Sequence, residues 1–291
     1  MKKHLTFFIM LESILFMPLS AQKAQIKVGY DYEVKIDGQE RKEDYVLMCG
    51  KHSSMFYNPT ALWMDINSKD ETARQAYGKM ASHLQETGRQ SEIPNRAVSM
   101  YIFKDFDKED KTVYDDYSDQ FAVYNEPFAE MQWDIVGDST KTILGYECIL
   151  ARLSYHGRNW KVWFTPEIPL HDGPWKFAGL PGLILLASES DGIHSFIANG
   201  IEATEQEIPS MVRADWYHKE NRIKYLQGKY KHLEDPLADI AGGNLPMNVK
   251  VVVNGKETTR DELRNRTRKM IDSGYDFLET DYHKLSKSDY R

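Results

Sequence analysis

Tyr146–Asn199, reading YECILARLSYHGRNWKVWFTPEIPLHDGPWKFAGLPGLILLASESDGIHSFIAN, is the stretch that decides the fold. Tyr146–Tyr155 reads as a strand and His156-Gly157-Arg158-Asn159 as a turn. Trp160–Phe164 reads as the returning strand, built of aromatic and β-branched residues that suit a pleated surface. Thr165-Pro166-Glu167-Ile168-Pro169 stops it, because proline cannot donate to a ladder. Ile184–Ser190 and Ile193–Asn199 flank Asp191-Gly192, a dipeptide suited to a type I′ hairpin turn. These runs predict an antiparallel meander in the middle third of the chain.

Between the two hairpins lies Gly173–Ile184, GPWKFAGLPGLI. Leu180-Pro181-Gly182-Leu183 has the composition of a type II turn, with proline presetting φ at the second position and glycine supplying a positive φ at the third. Gly179 offers a further positive φ or a close backbone approach. Lys176 is the one titratable group, and neither a Lys-Ser/Thr pair nor a helix start follows, which excludes a phosphate-binding glycine loop. Trp163, Trp175, Phe177, Gly179, Leu180, Pro181 and Gly182 therefore read in one of two ways. They form a core plug at a sheet corner, or they are binding residues that line an apolar ligand cleft or face a partner protein.

Working outward, Ile26–Val34 alternates with period two and predicts a half-buried strand, with a turn at Asp37-Gly38 and the next strand over Asp44–Cys49. Ser68-Lys69-Asp70-Glu71 has the form of a capping box. Ala73, Tyr77, Met80 and Leu84 recur after it at helical spacing, so a helix is expected over 68–88. Val98–Phe103 and Thr112–Tyr117 predict strands beside an acidic, solvated hairpin loop. Apolar residues from Val212 to Leu233 predict a helix over 210–233 capped by Ser210. Val249–Val253 reads as a strand and Asn254-Gly255 as a turn, and Thr259-Arg260-Asp261-Glu262 is a second capping box that opens a helix ending near Gly274. The expected class is α+β: a curved antiparallel sheet with about three helices on one face or end, in a single domain over 22–291.

Met1–Ala21 reads as an export signal, with Lys2 and Lys3 before an apolar stretch and Ser20-Ala21 as a small-residue cleavage site. The chain is thus expected in the periplasm or outside the cell, with no transmembrane segment in its mature form. A net charge of −7 gives no global attraction to nucleic acid. Cys49 and Cys148 are the two cysteines, and export leaves two readings: one disulfide across neighbouring strands, or two buried thiols. No histidine pair has helical zinc spacing, and there is no Gly-x-Ser-x-Gly elbow and no cofactor motif. His156, Glu167, His171 and Asp172 supply the residue types of an acid–base or metal-dependent hydrolase if the fold gathers them, and are loop residues otherwise. The leading expectation is a non-enzymatic envelope protein that binds an apolar ligand or a partner protein.

The block Thr142–Asp191 resembles the GLPGLI family of exported bacterial proteins, a Porphyromonas-type domain. The resemblance rests on Leu144-Gly145-Tyr146-Glu147-Cys148, on Trp163–Pro169 and on the intact Gly173–Ile184 run. It implies a secreted or periplasmic protein with no established activity, and no catalytic residue carries over. It also implies association with TonB-dependent outer-membrane systems, hence an assembly or accessory role. The strand–proline loop–strand order is similar to the half-barrel of periplasmic lipoprotein carriers, which bears on fold and not on function.

Overall fold

The computed structural model describes residues 22–36, 39–94, 100–117, 120–238, 245–253, 256–272 and 278–283. The expected signal over Met1–Ala21, the turns at Asp37-Gly38 and Asn254-Gly255, and the helix end at Gly274 lie outside them.

Twelve strands form one curved sheet among the described residues. They are β1 (Ile26–Ile36), β2 (Gln39–Cys49), β3 (Ser53–Tyr57), β4 (Tyr101–Asp105), β5 (Asp110–Tyr117), β6 (Gln120–Pro127), β7 (Asp134–Ile143), β8 (Tyr146–Tyr155), β9 (Arg158–Thr165), β10 (Leu183–Glu189), β11 (His194–Ala203) and β12 (His218–Lys219). Their order is β12-β6-β5-β4-β3-β2-β1-β11-β10-β9-β8-β7. The expected meander appears as β8 to β11, and β7, which was not expected, extends it at the edge; β1 pairs antiparallel with β11 to join it to a second meander, β1 to β6. The short β12 pairs parallel with the β6 edge, and β13 (Lys250–Val253) with β14 (Lys256–Thr259) forms a separate hairpin. The helices are α1 (Pro59–Asn67), α2 (Glu71–Glu86), α3 (Arg222–Glu234) and α4 (Arg260–Asp272).

The inner, concave face is set by alternation. Val28, Tyr30, Tyr32 and Val34 of β1 are buried there with Tyr45 and Leu47 of β2, Trp160, Val162 and Phe164 of β9, and Phe196 of β11. The loop after β9 folds into this concavity, so Trp175, Phe177 and Leu180 join the same core. α3 adds Tyr225 and Leu226. On the outer face a smaller cluster packs Ala61 and Leu62 of α1 over Met48, Met55 and Tyr101.

Several local expectations are corrected. Ser68 does not cap α2: Asn58 and Pro59 start a helix upstream, Ser68 follows its end, and Asp70 caps α2 by accepting from the Ala73 N–H at 3.1 Å. Residues 210–221 form no α-helix, only a single 3₁₀ turn at Ala214–Trp216. His218 and Lys219 pair with β6 instead, and Asn221 caps α3 by accepting from the Lys224 N–H at 3.1 Å. The second capping box forms as read: the Thr259 N–H donates to Glu262 Oε2 at 2.9 Å, and the Glu262 N–H to Thr259 Oγ1 at 3.2 Å. Cys49 and Cys148 are free and buried, with no disulfide. Their strands are not neighbours, since β1, β11, β10 and β9 lie between β2 and β8. Burial and the charge of Asp172 push the Cys49 thiol up, and burial pushes Cys148 up to about 11, so both stay protonated near neutral pH.

Turn chemistry also shifts. The two-residue loops Leu144-Gly145 (φ 51° and 87°) and His156-Gly157 (φ 51° and 84°) have positive φ at both positions, as a type I′ turn requires. The Asp191-Gly192 loop is wider: pairing stops at Ser188↔Ser195, and Gly192 alone is positive, at 76°. Gly182 does not adopt the positive φ of a type II turn. Its N–H donates to the Leu180 carbonyl at 2.8 Å, closing a three-residue turn on Pro181. Glycine is needed there for space, because a Cβ would lie 2.1 Å from the Thr165 carbonyl oxygen. Gly182→Ala must therefore move the β9 end away from the β10 start. It is expected to cost about 1–3 kcal/mol or more in urea unfolding. A loss below about 0.5 kcal/mol would show that the two backbones are not so close.

Candidate functional site

A row of charges crosses the inner face of β4, β5 and β6. Lys104 pairs in register with Lys111, and Lys111 with Glu126. All three are buried. Two lysines directly opposite each other are unfavourable alone, so the row needs acidic partners: Glu126 stands in the row itself, and Asp172, just before the Gly173–Ile184 segment, is brought to it. Lys104 Nζ donates to Asp172 Oδ1 at 2.7 Å, to the Gly173 carbonyl at 2.6 Å and to the Phe177 carbonyl at 2.9 Å. Lys176 Nζ lies 2.6 Å from Glu126 Oε2 and donates to Glu279 Oε1 at 2.5 Å. The first part of the loop is thus pinned by two buried ion pairs, at Asp172 and Lys176, and the Trp133 Nε1–H ties it again through the Ala178 carbonyl at 2.9 Å.

Around Lys176 the charges form a closed set. His156 Nε2 is 2.7 Å from Glu126 Oε1, and its Nδ1 is 3.2 Å from Asp281 Oδ2. Arg222, the first residue of α3, holds Glu279 Oε2 and Asp281 Oδ2, each at 2.5 Å. Glu126, His156 and Glu279 place ligand atoms within 4.8 Å of one another, close enough for a metal ion. The position between the two glutamates, however, is taken by the Lys176 ammonium. With His156 protonated, Lys176, Arg222 and His156 match the three carboxylates, and the set reads as an internal ion-pair lattice.

Electrostatics follow from this packing. Burial opposes the charged form of His156, but the Glu279 charge and the bonds to Asp281 and Glu126 outweigh it and raise its pKa. Burial pushes Glu126 and Asp281 upward, yet Lys176 and His156 hold Glu126 low, and His156 and Arg222 hold Asp281 low. Lys111 lies between the rings of Phe128 and Tyr155 and is lowered to about 8, chiefly by burial.

The raised His156 pKa contributes stability that is fully present below its unfolded value of 6.5 and lost as pH rises through the folded value. The lowered carboxylates contribute stability that is present above their unfolded values and lost as pH falls through the folded ones. Urea unfolding of the wild type is therefore expected to show falling stability from pH 5.5 to about 7, a window below the titration of Lys111 at about 8. His156→Gln should flatten that slope, and an unchanged slope would remove His156 from the linkage.

Above the pinned loop, where the β2–β3 and β4–β5 turns meet the segment before β7, lies a cleft of about 750 Å³. Phe106, Phe128, Met131, Trp133 and Leu170 supply most of its apolar wall, with His171 and Gly179 contributed by the loop. The volume falls within the ~300–1,000 Å³ of small-molecule sites, which favour the mouths of curled sheets.

Of the residues expected to bind, Gly179 lines this cleft, at φ 90°. Trp175, Phe177 and Leu180 are core residues beneath it. Trp163 is half-buried beside Lys141, Pro181 is exposed, and Gly182 is packed on Thr165. The four candidate acid–base residues are not gathered. His156 belongs to the ion-pair lattice and Asp172 to Lys104. Glu167 accepts from the Glu147 N–H at 2.8 Å, and His171 is exposed at the cleft. His156 and Glu167 flank opposite ends of the eight-residue β9, roughly 25 Å apart at about 3.3 Å per residue. Sequence reasoning does not find Lys104, Lys111 and Glu126. The signal for them is period two: each charge falls on the apolar face, as in Lys111-x-Val113 and Tyr124-x-Glu126.

A family model described as "Protein of unknown function (Porph_ging)" matches residues 154–186, which include His156, Asp172, Lys176 and the Gly179–Ile184 motif. No curated protein matches the chain. Among solved structures, PNGF-II in a P21 crystal is similar over 72% of this chain at 12% identity and a TM-score of 0.46, and this chain spans 34% of its length. An uncharacterized conserved protein from Thermus thermophilus is similar over 68% of this chain and 91% of its own, at 5% identity and a TM-score of 0.33. A DUF1329 family protein from Desulfovibrio piger covers 63% and 86%, at 6% identity and a TM-score of 0.20. Likenesses this distant carry no argument about activity.

Proposed function

We propose that this chain is an exported, non-catalytic binding protein that holds a small apolar ligand in the cleft beside Trp133. The observation that carries the reading is the cleft itself: an aromatic wall of Phe106, Phe128 and Trp133, backed by a loop that buried ion pairs hold rigid. A preformed apolar site loses little ordering entropy on binding. Export rests on the Lys2–Ala21 segment. The Gln22 carbonyl accepts from the Ile208 N–H at 2.8 Å, so a chain cut after Ala21 keeps this anchor to the fold. Native mass spectrometry of protein isolated from its host envelope should find a retained small molecule, lost when Ala129→Trp fills the cleft. A wild-type protein with no retained mass, or an Ala129→Trp variant that keeps it, would overturn the reading. N-terminal sequencing of the same sample should begin at Gln22.

A second reading, a partner-binding accessory factor of an outer-membrane system, is favoured by the helical pair α1–α2. It exposes Trp63, Ile66 and Met80, and among the described residues of α2 Leu84 alone is buried. A photo-crosslinker at position 66 should capture one envelope protein in cells, and an absence of crosslinks there would count against it.

A further inference from the structure

The cleft lining is mixed, and one corner of it is polar. Gln25 and Lys51 line it near the start of β1, and the same two residues line a shallower neighbouring depression with Lys23, Thr204 and Glu205. The two depressions therefore share a rim. Lys51 is exposed on that rim, and its ammonium has no ion pair or hydrogen bond among the described residues. Lys23 stands further out with an exposed partner, Glu205, at 3.7 Å. His171 is a further exposed donor of the cleft, besides Gln25 and Lys51. The acidic residue, Glu109, is on the β4–β5 turn, which is bonded to the β2–β3 turn through the Phe106 N–H and the His52 carbonyl at 2.9 Å; the Glu109 carbonyl accepts from the Phe128 N–H at 2.8 Å.

We infer, on the reading that the cleft holds an apolar ligand, that this ligand is an amphiphile with an anionic head, the head meeting Lys51 and Gln25 and the chain lying along Met131, Trp133 and Leu170. An unpartnered ammonium at the edge of apolar surface offers an anion a charge-assisted hydrogen bond without breaking an existing pair. A cationic head would meet Lys51 as a like charge. A neutral alcohol would gain the apolar contacts alone. Phosphate and carboxylate heads share the chemistry the corner recognises.

Isothermal titration at pH 7.5 with dodecanoate, dodecyl phosphate, dodecanol and dodecyltrimethylammonium, each below its aggregation concentration, tests this. At least one anion should bind about tenfold or more tighter than dodecanol, the scale of one charge-assisted bond, and the cation should bind most weakly. Which anion leads separates a fatty-acid source from a phospholipid-like one. K51Q, a change on an exposed turn, should bring the anions to the affinity of dodecanol and leave dodecanol unchanged. Equal affinity for anion and alcohol, or an equal loss of both in K51Q, overturns the head-group assignment while the cleft reading stands. Absence of binding by all four probes overturns both.

Discussion

Lys176→Met is expected to lower the folding stability by about 3–5 kcal/mol, the range for removing one partner of a buried ion pair. Lys176 is fully buried, and the two carboxylates it serves, Glu126 and Glu279, are nearly so. Methionine matches the length of the side chain, so packing changes little and the lost charge dominates. The lattice is then left with three carboxylates against Arg222 and His156. The effect should reach beyond β6, because Lys176 also holds the loop that walls the cleft and, through Glu279, the segment that carries Asp281. Urea unfolding at pH 7 measures the loss. Lys176→Met combined with Glu279→Gln should recover part of it, since the excess charge is then gone. A single-variant loss under about 1 kcal/mol, the scale of an exposed pair, would mean that water reaches the lattice.

Trp160→Ala is the second large effect, at about 3–5 kcal/mol. Trp160 is 1% exposed and stands between the sheet and the inserted loop. Its ring centroid lies 5.0 Å from Phe177, 5.6 Å from Trp175 and 6.4 Å from Phe196. Removing it leaves a cavity bounded by β9, β11 and the loop, and rings fixed in T-shaped and tilted contacts cannot collapse into it without moving the loop. The half-buried Trp163 is the internal control, and Trp163→Ala should cost distinctly less under the same denaturant titration. Equal losses for the two variants would contradict the filled concavity. That filling also explains why the aromatic run around the motif is not itself the binding surface: its rings are already used.

The acidic cluster read as a solvated hairpin shows how far pattern alone carries. Asp105 is spent on a local partner, Lys108 at 2.5 Å, as a hairpin loop would have it, while Asp107 is held at 3.0 Å by His52 of the β2–β3 turn, 55 residues away. Asp115, on the same strand pair, is buried and bound by Lys229 of α3 at 2.8 Å. Period two could place Asp115 on the inner face, but nothing local names a lysine 114 residues away as its partner.

The β8–β11 meander, its turns at His156-Gly157 and Asp191-Gly192 and the Thr259 capping box are legible in the chain alone, because strand alternation, turn chemistry and helix caps are fixed by residues within a few positions of one another. Which charges are buried, and with whom, is settled only when distant segments meet. Lys104 reaches Asp172 across 68 residues and Lys176 reaches Glu279 across 103. Those meetings depend on how far the sheet curls and where the loop enters it. The cleft has the same origin, since it exists where turns from separate strands converge, and no one of them carries its outline in sequence.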